Sequence, residues 1–314
     1  MTEIDLHPAI HRWLTRIGEL SATLPDLGSS DRAEHRAAAI RLSDLLATEF
    51  VAPAPSAVVA DWTECDATGT VLAVRRYRPS VAGPWPTQVY LHGGGFVGGS
   101  ARETTNDRLL AARSASTGLQ ILSLEYRLAP EHPYPAAVLD TLALLEDVMT
   151  SPGRWDADPT RLGVGGASAG ATIAASAALH WRALGRPALV HQCLEIPATC
   201  FRLVGDSADL ASAEELAGAA ATAAAYLADG VDELAAPLDA PDLTGLPPAL
   251  VMTAEWDPLR DGGEAYADRM RQAGVPVELV RGVGHLHATC SLTAVLPAAR
   301  EWQTACADHL RTAY

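Results

Sequence analysis

Gly166–Gly170, with the sequence GASAG, is the stretch that decides the fold. The residues before it, Arg161–Gly165, form a run of strand length, and the alanine-rich residues after it, Ala171–Leu179, are good helix formers. Ser168 therefore lies where a strand gives way to a helix. Such a turn strains the backbone at its centre, and glycines two residues to either side let the crossing chain pass without a collision. The pattern predicts a turn that exposes the serine hydroxyl.

A second glycine-rich motif precedes this turn by some seventy residues. His92–Gly95, with the sequence HGGG, follows an apolar run and is typical of a loop that presents bare backbone N–H groups, which His92 is expected to brace. The helix after Ser168 would add the unpaired N–H groups and partial positive charge of its N-terminus. The two motifs together indicate acyl-transfer chemistry, with a serine nucleophile and donors for an oxyanion.

A general base and an orienting carboxylate, which a serine nucleophile needs, are both available in the last third of the chain. The apolar run Ala249–Ala254 predicts a strand that leads into the acidic loop Glu255–Asp261, and Val275–Val280 predicts the next strand, which leads into Gly284–His287. The order serine, acid, histidine is that of an α/β-hydrolase sheet. We therefore predict an α/β fold with a mostly parallel central sheet flanked by helices.

Each of these roles has more than one candidate. Asp257 comes first after its strand and is preferred to Asp261, which lies one turn into a predicted helix and would be a cap or a solvated charge. His285 and His287 share one short loop, and the residues alone leave the choice between them open. Ser207 lies in GDSAD, which lacks the second glycine of a nucleophile turn, so we interpret it as a turn or helix-capping residue.

Four motifs carry a resemblance to a known family. They are HGGGF at His92–Phe96, YRLAPEHPYPAA at Tyr126–Ala137, GASAG at Gly166–Gly170 and DPLRD at Asp257–Asp261. The chain resembles the bacterial esterases of the hormone-sensitive lipase family over roughly residues 55 to 312. The resemblance implies an α/β-hydrolase fold and a serine carboxylesterase that hydrolyses short- to medium-chain carboxylic esters through an acyl-enzyme, without a cofactor or metal.

The resemblance also implies a role for individual residues. It makes Ser168 the nucleophile and Asp257 the acid, and its Gly-x-x-His arrangement selects His287 as the base. The oxyanion donors would be the backbone N–H groups of Gly94, Gly95 and Ala169. The chain departs from the family pattern at three places, which are Ala167, Ala171 and the pair Ala288-Thr289. These departures leave the triad intact and concern local packing and the substrate pocket.

Other functions fit the same fold. A lactone, amide or formamide hydrolase or an acyltransferase would use the same residues, and nothing in the sequence separates them from an esterase. A dehydratase or cyclase of this fold would show an altered nucleophile or histidine. A ligand-binding receptor built on an inactive hydrolase would lack the histidine, and this chain keeps it.

Two regions are predicted to be helical and to lie outside the sheet. Residues 1–50 carry an apolar stripe, and an alanine-rich insertion at about residues 203–228 contains Tyr226 as its only aromatic side chain. The resemblance implies that both pack as a small cap above the serine. Residues 51–314 would otherwise form one hydrolase domain, and 314 residues with 48% hydrophobic content suffice for its core.

Composition limits the partners. The net charge of −15 and the absence of a long Lys/Arg run argue against nucleic acid. No apolar run reaches the roughly eighteen residues of a membrane span, and the first residues do not read as a signal peptide, so a cytoplasmic location is the default. Five scattered cysteines predict buried thiols in a reducing compartment. An edge strand near residues 277 to 281 could pair two chains into a homodimer.

Overall fold

An eight-stranded sheet forms the centre of the protein, whose computed structural model describes residues 5–67, 69–228 and 232–314. The strand order is β1-β2-β4-β3-β5-β6-β7-β8, in which β2 alone runs antiparallel to its neighbours. The strands are β1 (Val58–Ala67), β2 (Thr70–Pro79), β3 (Trp85–Leu91), β4 (Gln120–Leu124), β5 (Ala157–Ala167), β6 (Gln192–Glu195), β7 (Ala249–Trp256) and β8 (Val277–Leu286). The predicted mostly parallel sheet is confirmed.

Helices cover both faces of this sheet. They are α1 (Pro8–Ser21), α2 (Arg32–Phe50), α3 (Thr104–Thr117), α4 (Ala136–Thr150), α5 (Pro152–Trp155), α6 (Ala169–Ala183), α7 (Ala213–Leu227), α8 (Arg260–Gln272) and α9 (Pro297–Ala313). Helices α3 and α9 pack together on one face, and α4, α6 and α8 cover the other. Among the described residues, no helix combines the length and the apolar composition that crossing a bilayer requires.

The register of the parallel strands brings the predicted site residues to one edge of the sheet. Leu91, the last residue of β3, pairs with Gly166 near the end of β5, so the HGGG loop and the GASAG turn leave the sheet side by side. Trp256 at the end of β7 pairs with Leu286 at the end of β8. The loops that follow these four strands therefore meet, because the carboxyl ends of parallel strands share one edge.

The glycines of the GASAG turn are required by close approach of the backbone. A Cβ atom on Gly170 would lie 2.1 Å from the carbonyl oxygen of Leu91, and one on Gly166 would lie 2.5 Å from the carbonyl carbon of Gly170. Both distances are shorter than any van der Waals contact. The sequence-based reason for these two glycines is confirmed, and the chain that crosses them is the end of β3.

An apolar cluster joins the N-terminal helices to the rest of the protein. Ile10 of α1 and Phe50 of α2 pack with Leu292 and Leu296, which precede α9. Arg36 of α2 donates hydrogen bonds to the carbonyl oxygens of Val97 and Ala129, at 2.7 Å in each case. These contacts fix α2 above the HGGG loop.

The five cysteines are buried and free, as expected. The Sγ atoms of Cys193 and Cys306 lie 3.8 Å apart, far beyond the roughly 2.05 Å of a disulfide. The cysteines therefore act as small apolar side chains of the core in this structure.

Phe50→Ala should lower the free energy of unfolding by about 3–5 kcal/mol, because it removes a side chain that is 1% exposed from the cluster anchoring α2. Leu45→Ala on the same helix is the control, since Leu45 is 41% exposed and its truncation should cost no more than about 0.5 kcal/mol. Urea denaturation measures both, and equal losses in the two variants would contradict the anchoring role.

Candidate active site

Ser168 occupies a strained turn between β5 and α6. Its backbone angles are φ +54° and ψ −122°, a conformation that residues other than glycine rarely adopt. The N–H of Ser168 donates to the carbonyl oxygen of Glu195 at the end of β6, at 2.8 Å. The neighbouring strands thus hold the turn, and the serine hydroxyl faces the loops beyond the sheet.

His287 lies between Ser168 and Asp257. Its Nε2 is 3.0 Å from the Oγ of Ser168, and its Nδ1 is 2.7 Å from the Oδ2 of Asp257. Asp257 is 1% exposed, and its Oδ1 accepts the N–H of Leu259 at 2.9 Å. One continuous hydrogen-bonded chain therefore joins the three residues that the family resemblance selected.

The surroundings of His287 favour its protonated form. Withdrawal of the ring from water would lower the pKa of His287, but the charge of Asp257 and the hydrogen bond to it outweigh this effect. The pKa therefore lies above that of an ordinary histidine. A ring in this position accepts a proton more readily than a free imidazole does, and the adjacent carboxylate stabilises the resulting imidazolium.

Two of the three predicted oxyanion donors, Gly94 and Gly95, line the same cavity as Ser168, and the third, Ala169, follows Ser168 in the chain. Within the described residues, the N–H groups of Gly94, Gly95 and Ala169 donate to no protein acceptor. Gly94 has φ +127°, and a Cβ there would lie 2.1 Å from the carbonyl oxygen of Gly98, so only glycine fits this bend. Ala169 is the first residue of α6, where N–H groups are unpaired by geometry. The loop and the helix together present free donors beside Ser168.

The rival histidine and the rival aspartate have other partners. His285 is 1% exposed, its Nδ1 is 2.9 Å from the Oγ1 of Thr289, and its ring packs edge-on against Trp302. Asp261 accepts the N–H of Ser207 at 2.9 Å and pairs with Arg260. Neither contacts Ser168 or His287 in the hydrogen bonds of the described residues.

Ser207, interpreted from the sequence as a turn or helix-capping residue, lies in the short 3₁₀ turn Asp206–Leu210, and its hydroxyl contacts the first turn of α8. Its Oγ accepts the N–H of Asp261 in the first turn of α8, at 3.1 Å, and donates to the carbonyl oxygen of Pro258 at 3.0 Å. The alanine-rich insertion is thereby fastened to the loop that carries Asp257.

Several supporting residues were not found by sequence reasoning. Tyr126 stacks on His92 with ring centroids 4.3 Å apart and donates to the His92 carbonyl oxygen at 2.8 Å. The Nδ1 of His92 is 2.7 Å from the carbonyl oxygen of Gly93, so the ring of His92 does brace the glycine loop. Glu255 accepts the N–H of Gly284 at 2.7 Å and holds the histidine loop. Tyr126 lies in a quoted motif, but Glu255 gives no local signal because its partner is 29 residues away.

Of the departure Ala288-Thr289, the structure explains Thr289, whereas nothing in it explains an alanine at position 288. Ala288 has φ +67°, a left-handed conformation directly after His287. The hydroxyl of Thr289 accepts the N–H of Leu286 at 3.1 Å and contacts the ring of His285. Thr289 therefore stabilises the short turn on which His287 stands.

Two cavities open on either side of Ser168. The first, which we call the α2 cavity, has a volume of about 600 Å³ and is lined by Ser168, His287, residues of α2 and α3, and Glu195. The second, the α7 cavity, has about 400 Å³ and is lined by Ser168, Phe96, Phe201 and small residues of α7. Both volumes fall in the range of small-molecule sites.

One group of side chains has metal-ligand character. Ligand atoms of Cys193, Glu195 and Cys306 lie within 4.8 Å of one another and all three residues are buried. However, Glu195 already pairs with the guanidinium of Arg113 at 2.8 Å. A cation at this point would face that positive charge, and we assign no metal to it.

Comparison with known proteins agrees with the fold and with the family resemblance of the motifs. Residues 88–291 match the family described as alpha/beta hydrolase fold. The carboxylesterase NlhH of Mycobacterium tuberculosis is 39% identical over 243 residues, which cover 74% of this chain and 75% of NlhH. The ethyl acetate hydrolase of Pseudomonas putida is 35% identical over 231 residues, covering 69% of this chain and 71% of that protein.

A solved structure covers almost the whole chain. The ester hydrolase EH1AB1 from the metagenome of Lake Arreo is 32% identical, covers 98% of this chain and 99% of its own, and superposes with a TM-score of 0.86. The motifs, the strand order and these relatives agree. The chain belongs to the alpha/beta hydrolase family, and its predicted kinship with the esterases of the hormone-sensitive lipase family is confirmed.

Proposed function

We propose that this protein is a serine carboxylesterase that hydrolyses short- to medium-chain carboxylic esters. The observation that carries the proposal is the hydrogen-bonded chain Asp257, His287 and Ser168, with distances of 2.7 and 3.0 Å. Free N–H groups lie beside it where an oxyanion would form. The similarity of this chain to a named carboxylesterase and a named ethyl acetate hydrolase supports the choice of ester over other acyl substrates.

The proposed reaction proceeds through an acyl-enzyme. The Oγ of Ser168 attacks the ester carbonyl carbon while Nε2 of His287 takes the serine proton, and the N–H groups of Gly94, Gly95 and Ala169 receive the oxyanion. His287 then gives its proton to the leaving alcohol oxygen. Water, deprotonated by the same ring, attacks the acyl carbon and releases the acid and the free serine. Asp257 holds the tautomer of His287 and stabilises its charged form.

We propose further that residues 1–50 and about 203–228 act as the cap over residues 51–314. Support comes from α2, which lines one cavity beside Ser168, and from α7, which lines the other. Tyr226 of α7 stacks on Phe96 with ring centroids 4.0 Å apart, which couples this helix to the oxyanion loop. The volumes of about 600 and 400 Å³ favour small esters. Five free thiols favour a cytoplasmic location.

Ser168→Ala should lower the turnover of p-nitrophenyl acetate and butyrate by at least about a thousandfold, because it removes the nucleophilic oxygen. Ser207→Ala is the matched control: it should keep its turnover but lose about 1–3 kcal/mol of stability, since its buried hydroxyl makes two hydrogen bonds. Release of p-nitrophenol from the acetate, butyrate, octanoate and laurate esters measures the turnover of both variants, and urea denaturation measures the stability of Ser207→Ala. Full activity of folded Ser168→Ala would refute the assigned nucleophile.

The kcat/KM of the enzyme should fall as pH decreases through the pKa of His287, because only the neutral ring accepts the serine proton. The midpoint should lie above about 6.5, since Asp257 raises that pKa. Asp257→Asn removes the charge, so the pKa should move down and kcat should fall by about ten-thousandfold. The pH profile on p-nitrophenyl acetate measures the wild type, and NMR titration of the ring measures the variant.

The control for this titration is His285→Ala, which should retain activity and the wild-type midpoint because His285 does not touch the triad. A wild-type midpoint below that of ordinary histidine, or a shift in His285→Ala equal to that in Asp257→Asn, would contradict the assignment.

We also propose a homodimer formed through the free edge of β8. This strand is the last in the sheet order, and Val283 in it is 72% exposed. Light scattering on a sizing column should give the mass of two chains for the wild type and of one chain for Val283→Glu, which brings like charges together. Val59→Glu on β1, at the opposite edge and 54% exposed, should remain dimeric. A monomeric wild type would end the proposal.

A further inference from the structure

A third cavity lies outside the active site, between α3 and α9. It has a volume of about 290 Å³, and we call it the arginine groove because Arg108 of α3 and Arg300 and Arg311 of α9 line it. Neither Ser168 nor His287 lines it. The proposed ester hydrolysis therefore gives this groove no task.

One face of each helix forms the groove. Ala307 and Arg311 follow Arg300 at intervals of seven and eleven residues, about two and three turns of α9, so the three side chains lie on the same side of the helix. Helices α3 and α9 pack against each other, and Arg108 lies on the facing side of α3. Arginines of two helices are thus brought to one cavity.

The groove carries uncompensated positive charge. No carboxylate lines it in the part of the chain that the structure describes, and Arg108 and Arg300 form no salt bridge there. The other arginines in its wall, Arg113 and Arg311, each pair with a carboxylate. Two guanidinium groups therefore share one cavity without a counter-ion, in a chain whose net charge is −15.

The two unpaired guanidinium groups are anchored to neighbouring points of the backbone. Nη1 of Arg108 donates to the carbonyl oxygen of Val51 at 2.7 Å, and the N–H of the same peptide bond, which belongs to Ala52, donates to Oγ1 of Thr293 at 2.9 Å. The carbonyl oxygen of Thr293 in turn accepts from Nη1 of Arg300 at 3.0 Å. This chain of contacts holds both side chains near one part of the groove.

Each guanidinium keeps donors that a ligand can reach. Within the described residues, Nε and Nη2 of Arg108 make no hydrogen bond, and neither atom is enclosed by protein. Arg300 is exposed, and the hydrogen bond to Thr293 is the only one that its side chain forms among those residues. Nε and Nη2 lie side by side in a guanidinium, which is the arrangement that binds two oxygens of one phosphate or carboxylate.

The chemistry of the ligand follows from these donors and from the rest of the wall. A guanidinium has donors and no acceptor, so the ligand must present acceptor oxygens. Two uncompensated charges match a phosphate monoester, which carries about −1.5 to −2 at pH 7, better than the single charge of a carboxylate. Leu109, Ala112 and Ala307 add apolar surface, and the volume of about 290 Å³ suits a compact hydrocarbon group.

We infer that the arginine groove is a binding site for a small phosphate monoester. Its phosphate oxygens accept hydrogen bonds from Arg108 and Arg300, and its hydrocarbon group packs between α3 and α9. This site is distinct from the one at Ser168, and binding to it requires no reaction at the serine.

Isothermal titration calorimetry in a phosphate-free buffer tests the site with hexyl phosphate. The dissociation constant of the wild type should lie below about 1 mM. Inorganic phosphate lacks the hydrocarbon group and hexan-1-ol lacks the charge, so each should bind at least about tenfold more weakly. Hexanoate has a single charge and should bind at least about threefold more weakly. No binding of hexyl phosphate, or equal affinity for any of the other three compounds, would overturn the inference.

A variant locates the binding in the groove. Arg300→Gln removes an exposed charge and should weaken the binding of hexyl phosphate by at least about tenfold. Arg41→Gln is the matched control, because Arg41 is also an exposed helical arginine, forms no salt bridge within the described residues and lines none of the three cavities. It changes the net charge equally and should bind as the wild type does. Wild-type affinity in Arg300→Gln, which binding at the oxyanion donors would produce, or an equal loss in Arg41→Gln would refute the site.

Failure of this site and failure of the proposed function are distinguishable, because the heat of binding requires no turnover. A protein that hydrolyses no ester but binds hexyl phosphate through Arg300 would refute the proposed function and support the groove. An active esterase that does not bind hexyl phosphate would leave the proposed function intact and refute only the groove.

Discussion

The close approach of the GASAG turn to the end of β3 is the constraint on which the site depends. Gly170 packs so tightly against the carbonyl oxygens of Leu91 and His92 that no Cβ fits between them. This contact places the first turn of α6 directly beside the HGGG loop. The strained serine and the free N–H groups are consequences of the same crossing, because both segments must leave the sheet at one point.

The histidine and the aspartate are positioned by a different set of contacts. Glu255 holds the turn at Gly284, Thr289 closes the turn after His287, and the N–H of Leu259 donates to Asp257. Glu255 contacts the backbone of a distant turn, and Thr289 contacts the backbone of its own turn. The short distances between Ser168, His287 and Asp257 therefore depend on these anchored loops, and Asp257 raises the pKa of His287 because the loops hold the pair together.

The two cavities beside Ser168 differ in the polarity of their walls. Small side chains of α7 border the α7 cavity, whose lining is mostly apolar and includes the polar side chains of Ser168, Arg202 and Thr222. The α2 cavity extends from the triad to the pair Arg113 and Glu195 and has polar groups in its wall. The asymmetry indicates that the two limbs of a substrate meet different surroundings. The buried ion pair of Arg113 and Glu195 lies in the wall of this cavity. Burial of such a pair is not in itself evidence that it stabilises the fold.

The sequence by itself determined the sheet class, the nucleophile turn and the two glycines that it needs, because these follow from local backbone geometry and from strand and helix patterns that neighbouring residues carry. It also limited the acid to Asp257 or Asp261 and the base to His285 or His287, and the family motif favoured one of each. The residues alone did not separate them, since side chains two positions apart on a loop are oriented by contacts made elsewhere.

Only the tertiary structure decided those orientations. His285 is held by Thr289 and Trp302, while His287 faces Ser168 and Asp257 across the edge of the sheet. The pairing of Arg113 with Glu195 likewise joins a helix to a strand 82 residues later, and no periodicity or spacing in the sequence predicts this pair. The sequence fixes what a short segment will become, but which distant side chains meet depends on strand order and register, and these are set by packing of the whole sheet.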